Sequence, residues 1–246
     1  MNAILEIDGL SGGYIWNRPV VRNLSLRIRP GEMVGLIGLN GAGKSTTIKH
    51  ILGLLHPQSG TVRINGLALK DDPARYRSHF AYVPEAPELY EELSIRDHLQ
   101  LTSMAYSIGD WEKRTEELAA QFDMNGKLDA FPQTLSKGMR QKVMIMNAFL
   151  ADPPLYIIDE PFLGLDPLGI RSLLDLMVEK KRKGAAFLIS SHILSTLEMY
   201  CDHYVVLHKG EIAAKGTLAE IRRAAAVPER APLDDAFFSL VKGGSA

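Results

Sequence analysis

Gly38-Leu39-Asn40-Gly41-Ala42-Gly43-Lys44-Ser45-Thr46 fits the spacing G-x-x-x-x-G-K-[ST], with Gly38, Gly43, Lys44 and Ser45 at the defining positions. Glycines let a backbone turn sharply and bring its N–H groups close to phosphate oxygens. Thr47 to Leu52 can continue as a helix, whose start adds a partial positive charge. In such a loop Lys44 holds the β- and γ-phosphates of a nucleoside triphosphate and the Ser45 hydroxyl is a ligand of Mg²⁺, with Asn40, Gly41 and Thr46 completing the cradle.

Other residues are of types that could act on a phosphate held there. Asp159 and Glu160 end the apolar run Leu155 to Ile158, and the carboxyl end of a buried strand is where doubly wound sheets bind ligands. One acid can orient metal-bound water, and the next can orient or deprotonate the water that attacks the γ-phosphate. His192 follows a second buried run, Ala185 to Ser190. A lone histidine is more often structural, but its place beside the other strand ends makes it a candidate. Ser136, ahead of Lys137-Gly138-Met139, reads as a helix cap or as an anion site at the same helix start. Tyr14, in Gly12-Gly13-Tyr14-Ile15-Trp16, either stacks on a nucleotide base or packs over a sheet edge.

The elements that must position these groups follow from periodicity and punctuation. Met33 to Ile37 is the strand before the glycine loop, giving strand, loop and helix in order. Ala3 to Ile7, ending at Asp8-Gly9, and Val20 to Ile28, ending before Pro30-Gly31, alternate as antiparallel strands. Thr61 to Ile64 with Asn65-Gly66 continues the sheet beyond the loop helix, and Phe80 to Val83 is a short strand cut by Pro84. Ser94 caps a helix to about Ala105, another runs from Asp110 to Phe122, and Ser136 caps a third to about Leu150. This middle third is helical and forms a separate lobe. Asp166 caps a helix with Pro167 at its first position, running to about Lys183. Tyr204 to Lys215 reads as a hairpin, Thr217 caps a helix to about Ala226, and a short helix is expected around Asp234 to Val241.

At 246 residues with 46% hydrophobic content the chain can build one large α/β domain or two small ones. A net charge of −1 gives no field that calls for a nucleic-acid partner. The single cysteine, Cys201, cannot form an intrachain disulfide and reads as a small apolar filler in a reducing cytosolic compartment. No signal-peptide pattern opens the chain, and no apolar run approaches the ~20 residues of a membrane-spanning helix. Work at a membrane would need another chain to span it.

Taken together, the glycine loop, Leu135-Ser136-Lys137-Gly138-Met139, Asp159-Glu160, Gly164-Leu165-Asp166 and His192 resemble the ordered motif set of ATP-binding cassette (ABC) transporter ATPases, over about residues 3 to 222. The resemblance implies an α/β P-loop NTPase of the ABC type, with a mixed RecA-like core sheet, an antiparallel β-subdomain and a helical subdomain. The domain would span residues 1–226, with the helical subdomain at about 86–153 and a tail, 227–246, of no assigned role. It implies ATP and Mg²⁺ as cofactors, Tyr14 stacking on adenine, Asp159 at the metal, Glu160 as catalytic base and His192 on the γ-phosphate. Ser136 and Gly138 would serve the ATP of a second copy in a head-to-tail dimer, and Asp166 would lie at the same interface, bind there and couple the two sites. The chain would sit at the cytoplasmic face of the membrane and drive a separate transmembrane subunit, exporter-like, through the region from Glu85 to His98.

Three positions depart from that family pattern. Glu85 stands where a glutamine reaches toward Mg²⁺; its carboxylate can accept from metal-bound water but adds negative charge and loses an amide donor. Lys137 replaces a glycine and Met139 a glutamine, so Lys137 points to solvent or adds a cation near the second copy's ATP. A cassette ATPase working on ribosomes or DNA is disfavoured by the near-zero charge, and a non-hydrolytic regulatory subunit by the intact Lys44, Asp159 and Glu160.

Overall fold

The computed structural model describes residues 3–242. Strands β1 (Leu5–Gly12) and β2 (Val21–Ile28) are antiparallel, and β3 (Met33–Gly38) leads through the glycine loop into α1 (Lys44–Ile51). β4 (Ser59–Ile64), α2 (Pro73–Ser78) and β5 (Phe80–Val83) follow. Helices α3 (Ile95–Tyr106), α4 (Trp111–Gln121) and α5 (Lys137–Ala151) form the lobe. The chain then runs β6 (Leu155–Asp159), α6 (Pro167–Arg182), β7 (Ala186–Ser190), α7 (Leu194–Tyr200), β8 (His203–His208), β9 (Glu211–Gly216), α8 (Leu218–Ala224) and α9 (Leu233–Lys242).

Two sheets result. A six-stranded sheet runs β5-β6-β7-β3-β8-β9, parallel except for β9, and a three-stranded antiparallel sheet runs β2-β1-β4. β3, β6 and β7 are buried along their whole length, as parallel strands covered on both faces must be. Alternation divides them between two cores. Leu155, Ile157 and Leu188 pack with Leu5, Leu24 and Ile48 on the antiparallel-sheet side, whereas Tyr156, Ile158 and Phe187 pack with Val143 and Phe149 of α5 on the helical side. Phe149 stacks on Tyr156 with ring centroids 4.6 Å apart, and Tyr156 on Phe187 at 4.8 Å. The central strands are thereby clamped, and their carboxyl ends become a fixed platform.

Several expectations meet a different structure. Ala3 precedes β1, and Asp8-Gly9 does not end the strand: one extra residue between Ile7 and Leu10 forms a bulge, and pairing resumes to Gly12. The strand beyond α1 does continue the antiparallel sheet, pairing with β1. The short α2 and α7 were not expected, although Asp72 accepting from the Arg75 N–H, with Pro73 after it, is a readable start for α2. α7 opens without a side-chain cap and so carries no such signal. Residues read as a trailing segment dock against the domain: Leu233, Ala236, Phe237 and Val241 of α9 are buried in the helical-side core. The Leu233 N–H donates to Glu198 Oε2 at 2.7 Å, and Arg222 ties Ala231 O and Glu198 at 2.6 and 3.0 Å. Met1, Asn2, Gly243 and Gly244 lie outside the described residues. Among the described residues no helix is long and apolar enough to cross a membrane.

Candidate functional site

The register of the core sheet brings the chemistry-bearing strand ends together. β7 lies between β3 and β6, and Asp159 pairs with Ser190 at the carboxyl end. A cleft of about 660 Å³ opens there, lined by Tyr14, Asn40, Gly41, Gly43, Lys44, Ser45, Thr46, Glu85, Asp159, Glu160 and His192, with Val20 and Leu39. A larger cleft of about 770 Å³ lies between the two sheets, but opposite charges such as Glu6 and Arg27 face each other in it and none of these site residues lines it. Chemistry, not size, locates the site.

α1 starts at Lys44 behind Gly43, whose φ of 109° is left-handed and which offers no side-chain cap. A Cβ on Gly43 would stand 2.8 Å from Val21 Cγ1, so only glycine fits this turn. The first N–H groups of the helix are therefore left for an anion. Lys44 is buried, and its ammonium donates to the Gly38 carbonyl at 2.6 Å. Burial lowers its pKa, opposed by the charges of Glu160, Asp159 and Glu85.

Both strand-end acids are buried. The Ser190 hydroxyl donates to Asp159 Oδ1. Burial raises the Asp159 pKa; Ser190 and Lys44 act against the shift and Glu85 adds to it. Glu160 sits at φ 48°, a left-handed conformation that a non-glycine residue adopts at a cost and that is held here by its N–H on Ser190 O at 3.0 Å. Its Oε2 accepts from the His192 N–H at 3.0 Å, and Oε1 stands 3.3 Å from His192 Nε2 without a hydrogen bond. Burial raises the Glu160 pKa above the usual carboxylate range, with the His192 N–H, His192 and Lys44 opposing. A buried carboxylate in the lining of this cleft, with one oxygen lacking a hydrogen-bond partner, is equipped to accept a proton from water.

For Mg²⁺ the donor set fits in part: the Ser45 hydroxyl with the carboxylates of Asp159 and Glu85 is hard oxygen chemistry. Among the described residues no group of His, Cys, Asp or Glu is arranged to hold a metal by itself. A Mg²⁺ held here would draw its other ligands from phosphate and water, as that ion ordinarily does. The Glu85 loop is fixed from behind, where Gln141 Nε2 of α5 donates to Pro84 O at 3.3 Å.

Ser136, Gly138 and Asp166 do not line the cleft. Ser136 caps α5, its hydroxyl accepting from the Met139 N–H at 3.2 Å, and is exposed. Asp166, expected at an interface with a second copy, is engaged within the chain through both oxygens: Oδ1 accepts from the Gly169 N–H at 2.6 Å and Oδ2 from Lys142 Nζ at 2.8 Å. Lys142, then Gly169, hold its pKa below the ordinary value. Lys142 and Ser190 were missed by sequence reading, because each matters through a partner that only the fold supplies. Lys137 is exposed, with its stem running past Gly164.

Gly138 is set so close to Gly164 that a Cβ there would collide with the Gly164 carbonyl. Gly138→Ala is expected to cost about 1–3 kcal/mol of stability by overpacking and to displace the loop after Glu160. Thermal unfolding and ATPase assay check it; an unchanged Tm with unchanged turnover would show that the contact yields without consequence.

Comparison with known proteins agrees with this architecture. The family model described as ABC transporter matches residues 21–163. The ABC-type transporter ATP-binding protein EcsA of Bacillus subtilis (strain 168) is 53% identical over 98% of this chain and 97% of its own length. The uncharacterized ABC transporter ATP-binding protein YthP of the same organism is 38% identical over 99% of each. A solved ATP-binding subunit of an ABC transporter superposes with a TM-score of 0.93 at 53% identity, covering 96% of this chain and 99% of that one. The ATP-binding cassette MJ0796, described as dimeric and bound to ADP and Pi in a post-hydrolysis state, shares the fold with a TM-score of 0.79 at 22% identity, covering 87% of this chain and 98% of that one.

Proposed function

The chain belongs to the ABC transporter family as an ATP-binding subunit, and from that premise we propose that it hydrolyses ATP as half of a head-to-tail dimer and passes the resulting motion to a separate transmembrane subunit. One observation carries the reading: the cleft gathers Tyr14, the glycine loop, Glu85, Asp159, Glu160 and His192, while Ser136 and Gly138 of the same chain lie outside it. A second copy turned about a twofold axis can bring its own Ser136 and Gly138 to the bound triphosphate. The dimer of MJ0796 with ADP and Pi is a precedent within this fold.

In this mechanism the open N–H groups at the start of α1 and the Lys44 ammonium receive the β- and γ-phosphates. Ser45, Asp159 and Glu85 would hold Mg²⁺, which when bound would supply neutralisation of developing phosphate charge. Glu160 takes a proton from the attacking water through Oε1, its other oxygen being kept in place by the His192 N–H. His192, half-exposed beside Glu160, contacts the γ-phosphate and registers its departure. ATP closes the dimer only because it binds the closed state more tightly, through Ser136 and Gly138 of the second copy. The exporter-like direction and the cytoplasmic, peripheral location belong to this same proposal.

The experiment that tests the whole reading is purification from detergent-solubilised membranes: a membrane-spanning chain should accompany this subunit, and its consistent absence would reject the transporter role. Glu85→Ala tests the coupling step. Loss of a metal-supporting carboxylate is expected to lower turnover by about ten- to a hundredfold and to weaken stimulation by the membrane subunit. Unchanged hydrolysis together with unchanged stimulation would remove Glu85 from the site.

A further inference from the structure

Tyr14 has an unusual mounting for a residue asked to meet a base. Its side chain is 57% exposed on a short loop pinned by an isolated bridge between Ile15 and Arg18. A ring so placed can swing, and a swinging ring loses entropy whenever it stacks. One group restrains it. Lys49 Nζ stands 3.4 Å from the phenolic oxygen and 5.1 Å from the ring centroid, nearer the hydroxyl edge than the ring centre. Thr46 adjoins the same phenol and, with burial opposing and Lys49 assisting, holds the Tyr14 pKa below its ordinary value.

Thr46 and Lys49 both belong to α1, the helix that opens at the phosphate loop. The ring is thus referenced to the element that carries the triphosphate, not to the rest of its own loop. Lys49 is half-buried and forms no ion pair among the described residues, so the tyrosine is what engages its ammonium. Lys49 takes one side of the ring near its hydroxyl end, and the exposed ring still has a face to offer a flat heteroaromatic ring.

We propose that Lys49 is a positioning residue for base recognition: by holding the Tyr14 hydroxyl it fixes the ring at a set distance from the phosphate loop, where it stacks on the base of a nucleoside triphosphate. This rests on the nucleotide reading above and adds to it the residue that pre-organises the stack. The effect falls on binding and not on chemistry, because Lys49 lies away from Glu160 and its partners and is absent from the lining of the cleft. The expected size is that of an exposed cation–aromatic contact, about threefold in affinity.

The test compares wild type, Lys49→Met, Lys49→Arg and Tyr14→Ala, titrated with MgATP and with inorganic triphosphate. Lys49→Met is expected to weaken ATP binding about threefold, with triphosphate affinity and kcat at saturating ATP unmoved and with Lys49→Arg restoring affinity. Tyr14→Ala is expected to weaken ATP about tenfold, the loss of one base stack, again sparing triphosphate. Equal weakening of ATP and triphosphate by Lys49→Met would overturn the inference, since Lys49 would then act by charge on the phosphates. ATP affinity unchanged in Lys49→Met but lowered in Tyr14→Ala would also overturn it while sparing the base stack. If neither variant weakens ATP, the base-stacking role of Tyr14 falls with it.

Discussion

Glu160→Gln is expected to stop turnover while ATP stays bound. The amide keeps the size of the carboxylate and can still accept from the His192 N–H, now 3.0 Å from Oε2, so the phosphate cradle is undisturbed. What is lost is the proton acceptor at Oε1, and removal of a general base costs about 10²–10⁴-fold in kcat. With hydrolysis blocked, MgATP should drive the chain to a dimer that persists, read by sedimentation alongside phosphate release. Normal turnover by this variant would remove Glu160 from the role of base. The same substitution has a second consequence in the nucleotide-free protein. Burial raises the Glu160 pKa, so the ionised form is disfavoured by folding, and this penalty is complete above the raised folded-state pKa. It fades as the pH falls through that value and vanishes below the unfolded-state pKa. Glu160→Gln should therefore raise the Tm at neutral pH, and its advantage should shrink on acidification; a Tm gain that does not change with pH would assign it to something other than charge burial. In the wild type, turnover should fall as the pH drops through the same raised pKa, because a protonated Glu160 cannot accept.

The legibility of this site in the sequence followed the distance over which each piece of chemistry extends. The phosphate loop is contiguous, and its glycines, Lys44 and Ser45 declare themselves within nine residues. Asp159 and Glu160 were also readable, because a fully apolar run marks a strand covered on both faces, and acids at its carboxyl end fall where such a sheet meets its ligand. Caps at Ser94, Ser136, Asp166 and Thr217 are local hydrogen bonds between near neighbours, and all form as expected. What depends on strand order was not readable. Ser190 reaches Asp159 only because β7 lies beside β6, and no residue in either strand specifies that neighbour. Lys142 is one of several bases along α5 until the fold lays it over Asp166, to whose Oδ2 it donates. The left-handed backbone of Glu160 was equally hidden, since that conformation is usual for glycine and asparagine and is imposed here by the surrounding strands. Asp8-Gly9 shows the reverse failure: a strong turn signal was used for a bulge, because β2 and β4 on either side kept β1 paired through it.

Lys44→Ala is expected to fail in the opposite way to Glu160→Gln, by losing ATP before chemistry is reached. Lys44 is the cation buried among Glu160, Asp159 and Glu85, and burial has already lowered its pKa. In the nucleotide-free chain its ammonium is satisfied by the Gly38 carbonyl at 2.6 Å, so binding exchanges a neutral acceptor for charged phosphate oxygens. A hydrogen bond to a charged group contributes about 1.5–3 kcal/mol net, which corresponds to roughly ten- to a hundredfold in the Kd for MgATP. The loss should exceed that figure, because alanine also leaves the acids facing the triphosphate with no lysine between them, and like charges then repel. Inorganic triphosphate should be weakened as much as ATP, which separates this lysine from Lys49 and Tyr14, whose contribution is to the base. ATP-driven dimerisation should disappear with affinity and return only if the nucleotide concentration is raised in proportion. Arginine is not expected to restore binding: a planar fork cannot occupy the buried path that the lysine stem takes to Gly38 without displacing the loop. Titration of Lys44→Ala with MgATP and triphosphate, with sedimentation at matched saturation, decides the point. Unchanged affinity for both would mean that the helix N-terminus alone holds the phosphates, and Lys44 would then be a structural tie to Gly38.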